Sequence, residues 1–186
     1  EGRYSDDVFP GKGLRVAFLR APYAHARMLH LDASNARNLC GVSLVATQAD
    51  LDADNIGDIE CQFRPPLISG GKMKLVSKSA MVRDINRHAG DIVAMVIAEN
   101  QEIAESAIEL IDVEYQSMPA VTDIYAAMGD DASQLYDCYP NNIAFEWGAG
   151  SFDATDQAMK AAIANGQKIV EIDVINNRVV INSMET

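Results

Sequence analysis

The segment DIVAMVIAE, residues 91–99, decides the fold. Its nearly continuous apolar run is typical of a strand that is covered on both faces, so we expect it at the centre of a sheet. Asn100 then predicts a helix cap, and apolar residues recur behind it at helical spacing, namely Ile103, Ala104, Ala107, Ile108 and Ile111. A second strand, Asp112 to Gln116, ends before Met118-Pro119, since proline cannot continue a ladder.

The residues before this unit predict another strand, helix and strand. Leu14 to Ala21 is expected to be the first strand, and Arg27 to Leu31 its pairing partner. Asp32 and Ser34 are candidate caps of a short helix that runs through Leu39 and stops at Gly41. A compact β-type run follows from Val42 to Ala46.

Two stretches are expected to lack regular core elements. Asp50 to Lys78 contains Pro65, Pro66, Gly70 and Gly71, which indicates a long excursion of loops. The compact unit ends near Asp123, and a small helix at residues 124–128 precedes a polar, turn-rich linker that reaches Asn142.

The last part of the chain predicts few elements. Ile143 to Trp147 is expected to form a strand, and Ser151 to cap a helix that reaches Ala164 and ends at Gly166. Ile169 to Ile181 alternates like a long strand or hairpin. These elements give a thin core, so we expect this tail to lean on the first unit or on further chain.

Composition bounds the class of protein. The 186 residues are 48% hydrophobic and 23% charged, which is typical of a folded globular chain. A net charge of −12 argues against a nucleic-acid partner, because phosphate binding needs clustered cations. No apolar run is long enough to span a membrane and no basic amphipathic helix is visible, so no membrane partner is expected.

The cysteines and the first residues bear on the compartment. Cys40, Cys61 and Cys138 are too widely spaced for a zinc or iron–sulfur site and are expected to be buried free thiols. No secretion signal is present, which indicates the cytoplasm, although the first residue is Glu1 rather than Met.

Three histidines are the first candidates for chemistry. His25 and His30 lie near Arg20, Arg27 and Tyr23, a set that suggests an anion site. A metal would need a third close ligand, so we interpret both as structural. His88 stands in a predicted turn beside Arg87, with no nucleophile or carboxylate in a recognisable constellation. We interpret it as a loop histidine.

Acidic and glycine-rich motifs are the remaining candidates. Asp50, Asp52 and Asp54 start like an EF-hand loop, but Asn55 replaces its glycine and Cys61 its final glutamate. The loop at Gly148, Gly150 and Ser151 permits phosphate binding at a helix start, but such glycines also end ordinary loops. Gly70-Gly71-Lys72 lacks P-loop spacing. No catalytic, cofactor-binding or metal residue is therefore predicted.

Three blocks of sequence resemble one known family. GRYSDDV at residues 2–8 and LRVAFLRAPYAHARMLHLDAS at residues 14–34 are similar to the opening of molybdenum hydroxylase large subunits, in which an Arg-Ser-Pro-x-Ala-His-Ala pattern recurs, with Ala21 in place of its serine. HAGDIVAMVIAE at residues 88–99 resembles the family's Gly-Glu-Pro-Val-Ala stretch, with Asp91 and Ile92 as departures. Residues 142–147 and 182–185 resemble the entry into its molybdopterin-binding region.

The resemblance implies a fold and its division. The family is that of xanthine dehydrogenase, aldehyde oxidase and carbon monoxide dehydrogenase, and its first unit is an α/β hammerhead domain. It implies an α+β fold with a hammerhead domain at residues 1–123, a linker at 124–142, and the start of a molybdopterin-binding domain, truncated, at 143–186.

The same resemblance implies a role without chemistry of its own. The parent enzyme would hydroxylate an aldehyde, an N-heterocycle or carbon monoxide with oxygen from water at a molybdenum–pterin cofactor, and pass electrons to 2Fe-2S and FAD domains or subunits. The family's cofactor and catalytic residues fall after Thr186, so this chain would be a non-catalytic front part that binds no cofactor. The alternative is a free-standing hammerhead binding or assembly module. Weak self-association through an uncovered hydrophobic tail is also expected.

Overall fold

The computed structural model describes residues 2–3, 11 and 13–176. It contains six strands and five helices in these residues: β1 Arg15–Arg20, β2 Ala26–Asp32, α1 Ser34–Arg37, β3 Val42–Thr47, α2 Gln48–Ala53, β4 Ile85–Asn86, β5 Ile92–Ala98, α3 Gln101–Glu109, β6 Asp112–Ser117, α4 Ile124–Ala127 and α5 Phe152–Ala164. A short 3-10 turn follows α4 at Pro140–Asn142. The fold is mixed α and β, as the sequence predicts.

The strands form two antiparallel sheets of three strands each, in the orders β1-β5-β3 and β4-β2-β6. The apolar strand β5 lies at the centre of the first sheet, which confirms its predicted place. Helix α3 also forms as predicted: the Asn100 side chain accepts a hydrogen bond from the Ile103 amide at 2.9 Å. This bond satisfies one of the amides that a helix start leaves free.

The predicted pairing of β1 with β2 is wrong. Strand β1 pairs with β5, whereas β2 pairs with β4 and β6. The chain changes sheet between Ala21 and His25: the Ala21 amide still bonds to Asp91 beside β5, but the His25 carbonyl already accepts from Met118 beside β6. A bend that contains Pro22 therefore separates the two strands instead of a tight hairpin turn.

The core of the first sheet is built from small residues. Ala94, Ala98, Ala104 and Ala107 are all fully buried in one cluster that joins β5 to α3. Because alanines have short side chains, the helix lies close to the strand. A second, smaller cluster contains Ala21, Val82 and Val93.

Three further expectations need correction. Helix α2 forms where irregular chain was expected to begin, because the Asp50 carboxylate accepts bonds from the Thr47 amide and hydroxyl, both at 2.7 Å, and so closes the helix start. Residues 143–147 form no strand; two backbone bonds involve them, from the Ile68 amide to Glu146 and from the Ile143 amide to Pro140. Asp32, not Ser34, accepts the bond at the start of α1, from the Ser34 amide at 2.8 Å.

The end of the chain is described in part. Helix α5 begins after Ser151, whose hydroxyl accepts from the Ala154 amide, and Gly166 follows with φ +70°, so the predicted helix is confirmed. Residues 169–176 of the predicted strand or hairpin carry no strand. Its last five residues lie outside the described part of the chain.

The protein divides into two compact units, Gly11–Glu146 and the pair of segments Glu1–Pro10 with Trp147–Thr186. Both sheets and both core clusters lie in the first unit. The described part of the second unit has α5 as its one regular element. Among the described residues, no helix has both the length and the apolarity to cross a membrane.

Candidate functional site

The two histidines near the first strand have different surroundings. His25 is buried, with 2% of its surface exposed, and its Nδ1 lies 3.0 Å from the Pro119 carbonyl oxygen. His30 is exposed on β2. The structure does not bring them together as an anion site, because one ring is used to hold residue 119 against the start of β2 and the other faces solvent.

His88 has a carboxylate partner that sequence reasoning missed. Its Nδ1 lies 3.1 Å from Oδ1 of Asp91, and the Lys78 ammonium lies 3.4 Å from the same oxygen. The other oxygen of Asp91 accepts the Arg87 amide at 2.9 Å. The Asp91 side chain is only 13% exposed, so this carboxylate organises the turn that precedes β5. The three-residue spacing of His88 and Asp91 in the sequence is the pattern that could have predicted this pair.

These residues line a cavity of about 240 Å³. Two serine hydroxyls on its wall are engaged: Ser77 donates to Asp58 at 3.0 Å and Ser79 donates to the Met81 carbonyl at 2.6 Å. A histidine–carboxylate pair needs a free nucleophile within reach to perform covalent catalysis. Both serines are engaged, and Asp91 also holds the Arg87 amide and the Lys78 ammonium, so the arrangement fits a structural role.

Arg87 closes one side of this cavity. Its Nε donates to the Leu135 carbonyl at 2.7 Å, and its guanidinium lies over the Tyr136 ring, 4.2 Å from the centroid. Both interactions fix residues 135–136 against β4.

The acidic stretch that starts like an EF-hand holds arginines. The Asp50 carboxylate contacts Arg37 at 2.8 Å, and Asp52 and Asp58 both contact Arg83, at 2.8 and 3.0 Å. Hydrogen bonds from Arg83 and Gln48 lower the pKa of Asp52 to about 2. Burial opposes ionisation of Asp50, but bonds from Thr47 and Arg37 hold its pKa below the usual value.

The described residues contain no cluster of side chains that could hold a metal ion. No three of their His, Cys, Asp or Glu side chains converge as ligands. The Ser151 hydroxyl caps α5 after the glycine loop, and Gly70 and Gly71 form an exposed turn with φ +76° and +98°. The cysteines are free, but Cys40 is exposed and the other two are partly buried, so the expectation of buried thiols is wrong for Cys40.

The most distinctive surface is one face of the β1-β5-β3 sheet. Paired residues across an antiparallel sheet share a face. The row Ala17, Val96 and Val45 points into the core, with exposures of 7%, 0% and 4%. The next row, Val16, Ile97 and Leu44, lies on the opposite face; Val16 and Leu44 are 42% and 47% exposed and Ile97 is half-buried.

Phe18 and Met95 extend this face. They form the adjacent pair on the same side, and Phe18 is 41% exposed. We call Val16, Phe18, Leu44, Met95 and Ile97 the open sheet face. A sheet layer is stable when each apolar face is covered, and an apolar patch that stays exposed marks an interaction surface. The sequence shows the apolar positions, but only the register shows that they adjoin one another.

Comparison with known proteins places the fold. The profile of the "Aldehyde oxidase and xanthine dehydrogenase, a/b hammerhead domain" family matches residues 1–119. A probable hypoxanthine oxidase of Escherichia coli (strain K12) is 37% identical over 72% of this chain and 13% of its own length. The nicotine 6-hydroxylase large subunit of Paenarthrobacter nicotinovorans is 30% identical over 100% of this chain and 21% of its own.

A solved structure agrees. The Cu,Mo-containing carbon monoxide dehydrogenase in its carbon monoxide reduced state superposes with a TM-score of 0.62 and 30% identity, over 86% of this chain and 20% of that one. The chain therefore spans about a fifth or less of the length of these relatives.

Proposed function

Because the chain belongs to the aldehyde oxidase and xanthine dehydrogenase hammerhead family of molybdenum hydroxylases, we propose that it is the non-catalytic front part of such an enzyme's large subunit. Its role is to pack against the cofactor-binding domains and form part of the wall around them. The molybdenum–pterin cofactor belongs to those domains, and electrons leave through iron–sulfur and flavin partners. The substrate is an aldehyde, an N-heterocycle or carbon monoxide.

The open sheet face carries this proposal. Its half-exposed aliphatic and aromatic side chains lie on strands whose other face is fully used by the hammerhead core. Covering such a face removes apolar surface from water, which stabilises the covered state by about 25 cal/mol for each Å² buried. About four-fifths of the length of the relatives lies outside the matched part, which leaves ample chain for a covering layer.

The division of labour follows from the residues present. The described side chains with unusual environments, Asp91 with His88 and Asp52 with Arg83, hold loops rather than face a shared reaction centre. A rigid neighbouring domain sets substrate access without touching the metal. We propose the division into a hammerhead domain at residues 1–123, a linker at 124–142 and the start of a cofactor-binding domain at 143–186.

The experiment compares this chain alone with the same chain joined to the cofactor-binding domains and partner subunits of a molybdenum hydroxylase. Molybdenum and pterin content and dye-coupled oxidation of the three substrate classes are measured in both. We expect metal and turnover only in the longer preparation. If neither carries them, a free-standing assembly module becomes the better description.

A variant pair tests the open sheet face itself. Phe18→Ser with Leu44→Ser should lower the molybdenum content of the longer preparation, because the covering layer loses its apolar partner. Leu29→Ser is the matched control, since Leu29 is 53% exposed on β2 and lies outside this face. Equal molybdenum content in both variants would contradict a docking role for the face.

A further inference from the structure

Residues 61–78, which we call the basic arm, carry a positive charge in a chain that is acidic as a whole. They contain Arg64, Lys72, Lys74 and Lys78 and no Asp or Glu, in a chain whose net charge is −12. Such a local reversal of sign marks a surface whose complement is acidic.

The basic arm is held in place at both its base and its middle. The backbones of Ile59 and Lys78 exchange two hydrogen bonds, at 2.7 and 3.0 Å, and Pro66 bridges to Lys72. The Tyr139 hydroxyl donates to the Lys74 carbonyl at 2.7 Å, and Tyr139 is itself 8% exposed. Because the backbone is fixed in this way, the arm presents a defined set of side chains.

Those side chains combine cations with exposed apolar groups. Phe63 and Ile68 are 62% and 71% exposed. Arg64 pairs with Glu60 and Lys78 with Asp91, but Lys72 and Lys74 lie within ion-pair distance of no carboxylate in the described part of the chain. The basic arm therefore presents two exposed lysines and neighbouring apolar side chains that can bind a surface that is both acidic and apolar.

The same chain carries a surface of that kind. Residues 119–146 contain five acidic and no basic residues. Within them, a groove of about 420 Å³ is lined by Asp123, Asp130 and Asp131 together with Val121 and Ala126. Beside this acidic groove, Ile124 and Tyr125 on α4 and Met128 at its C-cap are 46%, 57% and 42% exposed. No cation lies within ion-pair distance of Asp130 or Asp131 among the described residues.

We propose that the basic arm of one copy docks into the acidic groove of a second copy, so that the chain forms a reciprocal dimer. Lysines 72 and 74 face aspartates 130 and 131, while Phe63 and Ile68 cover the apolar residues of α4. This contact is independent of the proposed enzyme role and of the open sheet face. At about 0.15 M salt the Debye length is about 8 Å, so short charge pairs persist while the long-range repulsion of two acidic chains is damped.

The test is a charge-swap cycle on the full 186-residue chain, followed by sedimentation equilibrium at about 0.15 M salt, from about 10 µM to 1 mM, the range of weak interfaces. We expect the unmodified chain to dimerise reversibly. Lys72→Glu with Lys74→Glu should weaken dimerisation roughly 10- to 100-fold, and so should Asp130→Lys with Asp131→Lys, since each places like charges opposite one another.

Mixing the two swapped variants is the decisive step. Each arm then meets a groove of opposite charge again, so the mixture should form a heterodimer at concentrations where each variant alone is monomeric. Controls with the same change in net charge are Glu102→Lys with Glu105→Lys on α3, and Lys160→Glu with Lys168→Glu. Circular dichroism confirms that every variant is folded.

Three outcomes overturn the proposal. The unmodified chain remains monomeric over the whole range, the swapped variants dimerise as well as the controls, or the mixture fails to restore association. In the second case the copies meet through another apolar surface. None of these results depends on molybdenum content, so failure of this proposal is separate from failure of the enzyme role.

Discussion

At the scale of single residues, ion pairs and side-chain hydrogen bonds hold the loops of this hammerhead unit. Arg83 contacts both Asp52 and Asp58. The Gln48 side chain makes two hydrogen bonds: its amide nitrogen donates to Asp52, and its oxygen accepts from the Met81 backbone amide. These contacts fasten α2 to the chain that leads into β4.

Stability of the α2 region should depend on pH through Asp52. Its pKa falls from 3.8 to about 2 on folding, so the unfolded chain binds more protons between these values. The stabilisation is therefore complete above about pH 4 and is lost as pH falls through the pKa of the folded state. In urea unfolding, Asp52→Asn should be less stable than the unmodified chain at pH 6, and the difference should shrink towards pH 2.

The matched control for this substitution is Asp54→Asn. Asp54 is an exposed neighbour with no ion pair to a described residue. Its variant should follow the unmodified chain at every pH. A difference for Asp52→Asn that stays constant from pH 6 to pH 2 would rule out the linkage.

Gly41 is required by space as well as by backbone conformation. It has φ +89°, and a Cβ built on it lies 2.7 Å from Cδ1 of Ile103. Gly41→Ala should cost roughly 2–3 kcal/mol in the free energy of unfolding, from left-handed strain and overpacking together. Gly70→Ala has φ +76° and no neighbour within 4 Å, so about 1 kcal/mol of strain alone is expected there.

A double variant separates the two contributions at Gly41. Ile103→Val removes the crowded methyl group and leaves Cγ2, which is 3.5 Å from the built Cβ. Gly41→Ala should therefore cost less in the Ile103→Val background than alone. Additive costs would show that the contact with Ile103 contributes nothing.

At the scale of elements, α3 docks on β5 through alanines that leave no room for larger side chains. Ala107 is fully buried between them, whereas Ser106 beside it is exposed. Ala107→Leu should destabilise the fold by about 1–3 kcal/mol through overpacking. Ser106→Leu, which adds a side chain of the same size on the exposed face, should stay within about 0.5 kcal/mol. Equal melting temperatures for the two variants would mean that α3 is not packed as described.

At the scale of the whole molecule, the hydrophobic core clusters of the described residues lie in one unit. Both sheets and both core clusters lie within Gly11–Glu146. A chain of residues 11–146 should therefore fold by itself and unfold in one cooperative transition. Far-UV circular dichroism and amide hydrogen exchange should report the same midpoint of unfolding in urea. Broad or non-coincident transitions would show that the unit needs further chain.

The sequence by itself determined the elements whose signals are local. The apolar run of β5, the Asn100 cap and the helical spacing behind it each fall within about ten residues, so strand, helix and strand were predicted there correctly. The resemblance to the hammerhead family also depended on such short blocks, and the family match confirms it.

Only the tertiary structure decided which distant segments meet. Strand β2 pairs with β6 rather than with β1, and residues 143–147 form no strand. Lys78 and His88 both contact Asp91. The open sheet face depends on the register of three strands that are far apart in sequence. The physical reason is that local spacing fixes how a segment orders its own backbone, whereas hydrogen bonds and burial between remote segments select its partners.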